Sequence, residues 1–155
     1  MKLPTADAIA RLVSDLLGKP TTARAVAPTP VPRDGIVSAI VDDEGALRAA
    51  VVVDRPLAAY AGAALALVPS GMADDALRSG AIPSALLDNY REVLNVVTNL
   101  LNTINPVHVR LGDSYTGPAA PAPKDVATIL ASPKAKLDLE LQIAGYGKGR
   151  IRFAV

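Results

Sequence analysis

Residues 88–105 read DNYREVLNVVTNLLNTIN. Asp88, Glu92, Asn95, Asn99 and Asn102 recur at intervals of four, three, four and three, so on a helix all five project from one face. Leu86, Tyr90, Val93, Val97, Leu100 and Ile104 fall on the opposite face, with the period of a stripe that meets a core. A solvated helix face is normally filled with Lys, Glu, Arg and Gln. Asn is a poorer helix former, costing up to about 0.7 kcal/mol relative to Ala. Several of them on one face imply that their amides have work to do.

Outward from this helix, the chain alternates helical and extended segments. Residues 5–17 read as an amphipathic helix with Thr5 as N-cap, Ile9, Leu12, Val13, Leu16 and Leu17 inward, and Gly18 as the stop. Residues 21–32 carry Pro28, Pro30 and Pro32 and can form only an edge strand or a loop. Residues 36–41 and 47–53 read as the arms of a β-hairpin turned at Asp42–Gly45. Asp54 and Pro56 suit the start of a helix running to about Val68, and a short helix fits 72–78. Pro83 and Ser84 open the Asn-rich helix and Pro106 closes it.

Residues 107–111, VHVRL, alternate as a strand, and 116–125 read as a Pro/Ala-rich surface loop before a short helix at 124–131. LDLELQI, 137–143, alternates strictly and is expected to pair with RIRFAV, 150–155, placing Arg152 near Glu140 and Gln142. This order of elements predicts an α+β fold with a largely antiparallel or mixed sheet and a long motif-bearing helix, residues 1–155 forming one domain.

Composition narrows the function. The 155 residues carry a formal net charge of +1 with no long Lys/Arg block, which argues against a nucleic-acid partner. There is no Cys, which excludes thiol catalysis and thiolate metal sites and fits a reducing cytoplasm. Asp7, Arg11 and Asp15 interrupt the N-terminal apolar residues, so neither a signal peptide nor a membrane span is expected there. His108 is the only His and reads as a residue on the polar face of a strand. The Asp42, Asp43, Glu44 cluster lacks the longer ligand pattern of a calcium loop and reads as a turn. Residues 145–149, GYGKG, precede a strand and read as a flexible turn, not a phosphate cradle.

The chemistry concentrates on Glu92 and Asn95, three residues apart on one helix face. A neutral amide can orient water without acting as a strong base, which is what phosphoryl hydrolysis requires when in-line positioning matters more than proton abstraction. A carboxylate beside it can pair with a partner's Lys. No GxxxxGK[ST] loop is present, so a phosphatase built on these groups must borrow its metal and phosphate cradle from a substrate protein.

The pattern Asp88-x3-Glu92-x2-Asn95, with Pro118 after 22 intervening residues, resembles the signature of the CheC/CheX/FliY chemotaxis phosphatases. The single motif copy and the length resemble CheX most. The resemblance implies a phosphatase acting on the phospho-aspartyl form of a CheY-type receiver domain. Asn95 would place the attacking water and Glu92 would pair with the receiver's active-site Lys. Asp88 and Pro118 would be supporting positions, and the receiver would supply Mg2+, this chain binding no cofactor or metal of its own. It implies a cytoplasmic homodimer with no membrane or nucleic-acid partner. In the family a Gly commonly follows the motif Asn by four or five positions. Here those positions are Asn99 and Leu100, whose bulk bears on docking or on which receiver fits. Two other readings of the stripe are a non-catalytic module that holds a receiver domain or another partner, and a structural homodimer with the stripe buried between subunits.

Overall fold

The computed structural model describes residues 1–117, 120–132, 134 and 136–155. Its elements run α1 (Ala6–Leu17), β1 (Thr21–Ala25), β2 (Ile36–Asp42), β3 (Leu47–Val53), α2 (Arg55–Leu65), α3 (Ser70–Ser79), α4 (Ser84–Thr98), α5 (Leu100–Ile104), β4 (Val109–Thr116), α6 (Lys124–Ala131), β5 (Lys136–Ile143) and β6 (Gly147–Ala154). All six strands form one antiparallel sheet in the order β1-β5-β6-β3-β2-β4. This is the expected α+β class.

Strand β3 shows why the sheet sits at the centre. Its apolar run has two buried faces, as a strand covered on both sides requires. Ala49, Val51 and Val53 point into the main core with Ile9, Val13, Leu57, Ala61, Tyr90, Val93 and Phe153, beneath α1, α2 and α4. Ala50 and Val52 point the other way, into a smaller cluster closed by Val126 and Leu130 of α6. With one Phe in the chain, the core is aliphatic, and Phe153 is fully buried within it.

Helix α1 forms as its sequence indicates. The Thr5 hydroxyl accepts from Ala8 N–H, and Gly18 ends the helix in the left-handed region at φ 63°. Of residues 21–32, expected as an edge strand or a loop, only Thr21–Ala25 form the edge strand β1, and the proline-bearing residues 28–32 lie outside the sheet. Ser14 Oγ of α1 accepts from Thr21 N–H at 2.8 Å.

Helix α2 stops earlier than expected, at Leu65. Its end is a left-handed cap built on Leu67 at φ 57° rather than on Gly. Val68 N–H bonds to Ala63 C=O and Leu67 N–H to Ala64 C=O, the paired pattern of a Schellman motif. Leu67 is 76% exposed, so its side chain gains little packing to offset the strain of that conformation. Leu67→Gly is therefore expected to raise stability by about 0.5–1 kcal/mol, measured as a higher urea midpoint at unchanged slope.

The β2–β3 turn is capped by an acidic side chain. Asp42 is buried. It accepts from Ala46 N–H at 2.8 Å, from Glu44 N–H at 3.1 Å and from Arg48 Nε at 2.6 Å. The Ala46 bond foremost, then the Arg48 contact, hold its carboxyl below the usual carboxylate range. Arg24 does the same for Glu140. Groups lowered in the folded state stabilise it fully above their unfolded values and release that stability as pH falls through the folded ones. Thermal stability is thus expected to fall as pH drops below about 4. Asp42→Asn should lower the melting temperature at pH 7 and converge on wild type in acid.

Two expectations at the strand ends need correction. His108 lies just before β4, not within a strand; it is exposed, with Nδ1 2.8 Å from Asp43 Oδ1. The C-terminal hairpin turns at Ala144–Tyr146, and Gly147–Gly149 already belong to β6. The register therefore sets Arg152 opposite Asp138 and Arg150 opposite Glu140. Arg152 Nε donates to Asp138 Oδ1 at 2.6 Å, and Glu140 pairs with Arg24 at 2.7 Å and more loosely with Lys148 at 3.9 Å.

Candidate functional site

The Asn-rich segment is two helices. Pro83 precedes α4, whose buried face is Leu86, Tyr90, Val93, Leu94, Val97 and Thr98. Asn99 caps it, and the chain re-enters a single helical turn as α5, burying Leu101. The expected inward positions Leu100 and Ile104 are half-buried and exposed instead. The helix is held close to α2: a Cβ on Gly62 would stand 2.1 Å from the backbone oxygen of Leu86.

Asp88, Glu92, Asn95 and Asn99 are all exposed. Among the described residues, none of their side chains forms a hydrogen bond or ion pair. Asp88, Glu92 and Asn95 line one open hollow of about 380 Å³ together with Arg91 and Leu111. Asn99 marks the end of α4 and does not line it. Pro118 lies outside the described residues.

Asn102 departs from the expected stripe. Its amide clamps the first residue of β4, accepting from Val109 N–H at 2.8 Å and donating to Val109 C=O at 2.9 Å. It is a structural tie, not part of a free polar face.

Arg91 is the residue that sequence reasoning passed over. Strand β4 carries a bulge where Gly112 and Asp113 together oppose Ala39, so the register shifts between Ser38 and Ile40. Arg91 reaches this bulge. Its Nη1 donates to Ser114 Oγ at 2.6 Å and its Nη2 to Gly112 C=O at 2.8 Å. Ser114 Oγ is in turn 2.7 Å from Ser38 Oγ. The only signal in the sequence was a cation between two motif positions, and its partners lie 21 and 23 residues downstream.

The hollow thus combines two carboxylates, one carboxamide and one guanidinium on a rigid helix. Tyr90, on the inner side of the same helix, is fully buried, and burial pushes its phenol up, so it stays neutral. Ser38 is near enough to oppose that shift, yet among the described residues none forms a hydrogen bond of proper geometry with the Tyr90 hydroxyl. Among the described residues, no group of three or more His, Cys, Asp or Glu side chains could hold a metal ion, and no helix is long and apolar enough to cross a membrane.

These elements, in this order, make the α+β fold shared by the CheC/CheX/FliY group and the FliM middle domain. A chain of the FliM–SpeE complex from H. pylori superposes with a TM-score of 0.67 at 10% identity, over 96% of this chain and 80% of that one. CheX from Borrelia burgdorferi, solved in a CheX–CheY–BeF3–Mg2+ complex, gives 0.52 at 10% identity, over 96% and 92%. FliY from Thermotoga maritima gives 0.51 at 15% identity, over 95% and 81%. No family model matches the sequence, and no curated protein matches it.

Proposed function

We propose that this chain is a CheX-like phosphatase that hydrolyses the phospho-aspartate of a CheY-type receiver domain. The observation that carries the reading is the placement of Glu92 and Asn95 one helical turn apart on α4, both exposed and uncommitted, within one hollow. Asn95 orients a water in line with the phosphorus, and the bond from phosphorus to the aspartyl oxygen breaks as the new one forms. Glu92 pairs with a Lys of the receiver and fixes the register. Asp88 and Asn99 flank the pair, and Pro118 is a further supporting position. Mg2+ comes with the receiver. The reading places the protein in the cytoplasm, with a second copy of the chain as its partner in a homodimer.

The test is the decay of a phosphorylated receiver domain in Mg2+ with and without this protein. Faster decay supports the reading; an unchanged phosphate lifetime for every receiver of the source organism removes it.

One observation favours a second reading, a non-catalytic module that binds its partner without hydrolysis. The superposition on the FliM–SpeE chain, at 0.67, is tighter than on CheX, at 0.52. Binding of a receiver with no change in its phosphate lifetime is the result that would select it.

A further inference from the structure

The side chain that neither the motif nor the fold requires is Arg91. On an exposed helix face it could pair with Asp88, three positions back on the same face. It does not. Both of its terminal nitrogens are drawn to β4 by Ser114 Oγ and Gly112 C=O. A guanidinium has five N–H donors, and these two bonds use two of them. The Nε–H and one proton on each terminal nitrogen stay uncommitted among the described residues. The guanidinium remains exposed and lines the hollow beside Glu92 and Asn95. The bulge that aims Gly112 C=O at it lies on an edge strand, where bulges re-aim groups toward a site. The result is a planar cation whose rotamer is set before any partner arrives, which reduces the ordering entropy lost on binding.

We propose that Arg91, held by the β4 bulge, is a specificity-determining residue that pairs with an oxyanion on the docking protein, beside the Glu92/Asn95 pair. The inference rests on the receiver-phosphatase reading. The oxyanion is either a rim carboxylate of the receiver or its phosphoryl group; both accept two parallel N–H bonds from a guanidinium.

The experiment measures, by calorimetry, binding of the full chain to a receiver domain with and without beryllofluoride and Mg2+, alongside the decay assay. Arg91→Gln is expected to weaken binding by about tenfold to a hundredfold, the effect of one charge-assisted pair, and to raise the receiver concentration that gives half-maximal decay by the same factor. Arg91→Lys should recover only part of it, because an ammonium cannot hold both anchors and a planar oxyanion at once. Ser114→Ala keeps the charge but removes one of the two anchors, leaving the Gly112 carbonyl, and should weaken binding less than Arg91→Gln. Equal loss with and without beryllofluoride assigns a rim carboxylate; loss only with it assigns the phosphoryl group. If Arg91→Gln lowers the melting temperature but binds as tightly as wild type, Arg91 is only a tie between α4 and β4 and the inference is wrong, while accelerated decay by wild type leaves the parent reading standing. Failure of wild type to bind any receiver overturns both.

Discussion

Asn95→Ala is expected to leave the protein folded and to abolish assisted hydrolysis, slowing turnover of a phosphorylated receiver by about 10²-fold or more. Loss of one preorganised group at a reacting centre typically costs that much. The fold should not suffer. Asn95 is exposed in the body of α4, and Ala is the better helix former by up to about 0.7 kcal/mol. The melting temperature should stay the same or rise slightly. Two further variants separate positioning from polarity. Asn95→Gln keeps the amide but moves it out by one methylene and should recover little. Asn95→Asp places a negative charge where a phosphoryl group must come and should be as poor as Ala. Rapid-mixing fluorescence of the receiver reads all three. Wild-type rates in Asn95→Ala would show that the amide is not part of the reaction.

Gly62→Ala is expected to be the most damaging Gly→Ala substitution in the chain. Its Cβ would lie 2.1 Å from the Leu86 oxygen and 2.9 Å from the Leu86 carbonyl carbon. Those are backbone atoms of α4 and cannot turn aside as a side-chain tip would. Two effects oppose each other. Ala in a helix interior gains about 1 kcal/mol over Gly in propensity. Forcing two packed helices apart loses more, about 1–3 kcal/mol for ordinary overpacking and beyond that for a backbone clash. The net expectation is a loss of about 2–3 kcal/mol in urea unfolding. Because α4 carries Glu92 and Asn95, the same displacement should reduce receiver binding in the fraction that remains folded. Stability unchanged from wild type would show that α2 and α4 can separate freely.

Local chemistry made the first half of the fold readable. Thr5 and Gly18 bound α1, Asp54 caps α2, and the acidic turn at Asp42–Gly45 fixes the β2–β3 hairpin. Errors arose where the deciding partner is distant. Asn102 looks like its neighbours on the stripe until Val109 folds back to meet its amide. Arg91 looks like a solvated cation until the β4 bulge takes hold of it. The C-terminal register slipped because Gly147–Gly149 read as turn but are strand. The end of α2 was placed too late because Leu67 occupies a left-handed position normally given to Gly. The exposed stripe from Asp88 to Asn99 was legible from period alone. That Asp88, Glu92 and Asn95 share one hollow with Leu111 was not, since Leu111 belongs to a strand that begins after α5.

The ties from Ser14 to Thr21, from Asn102 to Val109 and from Arg91 to Gly112 have a common consequence. They fall on β1 and β4, the two outermost strands. At each of these points a helix side chain occupies the backbone group that a stray extended polypeptide would need for recruitment. One end of the first rim and two points of the second are stoppered from within, which shortens the stretch that cross-β growth or fibril seeding could use as a template.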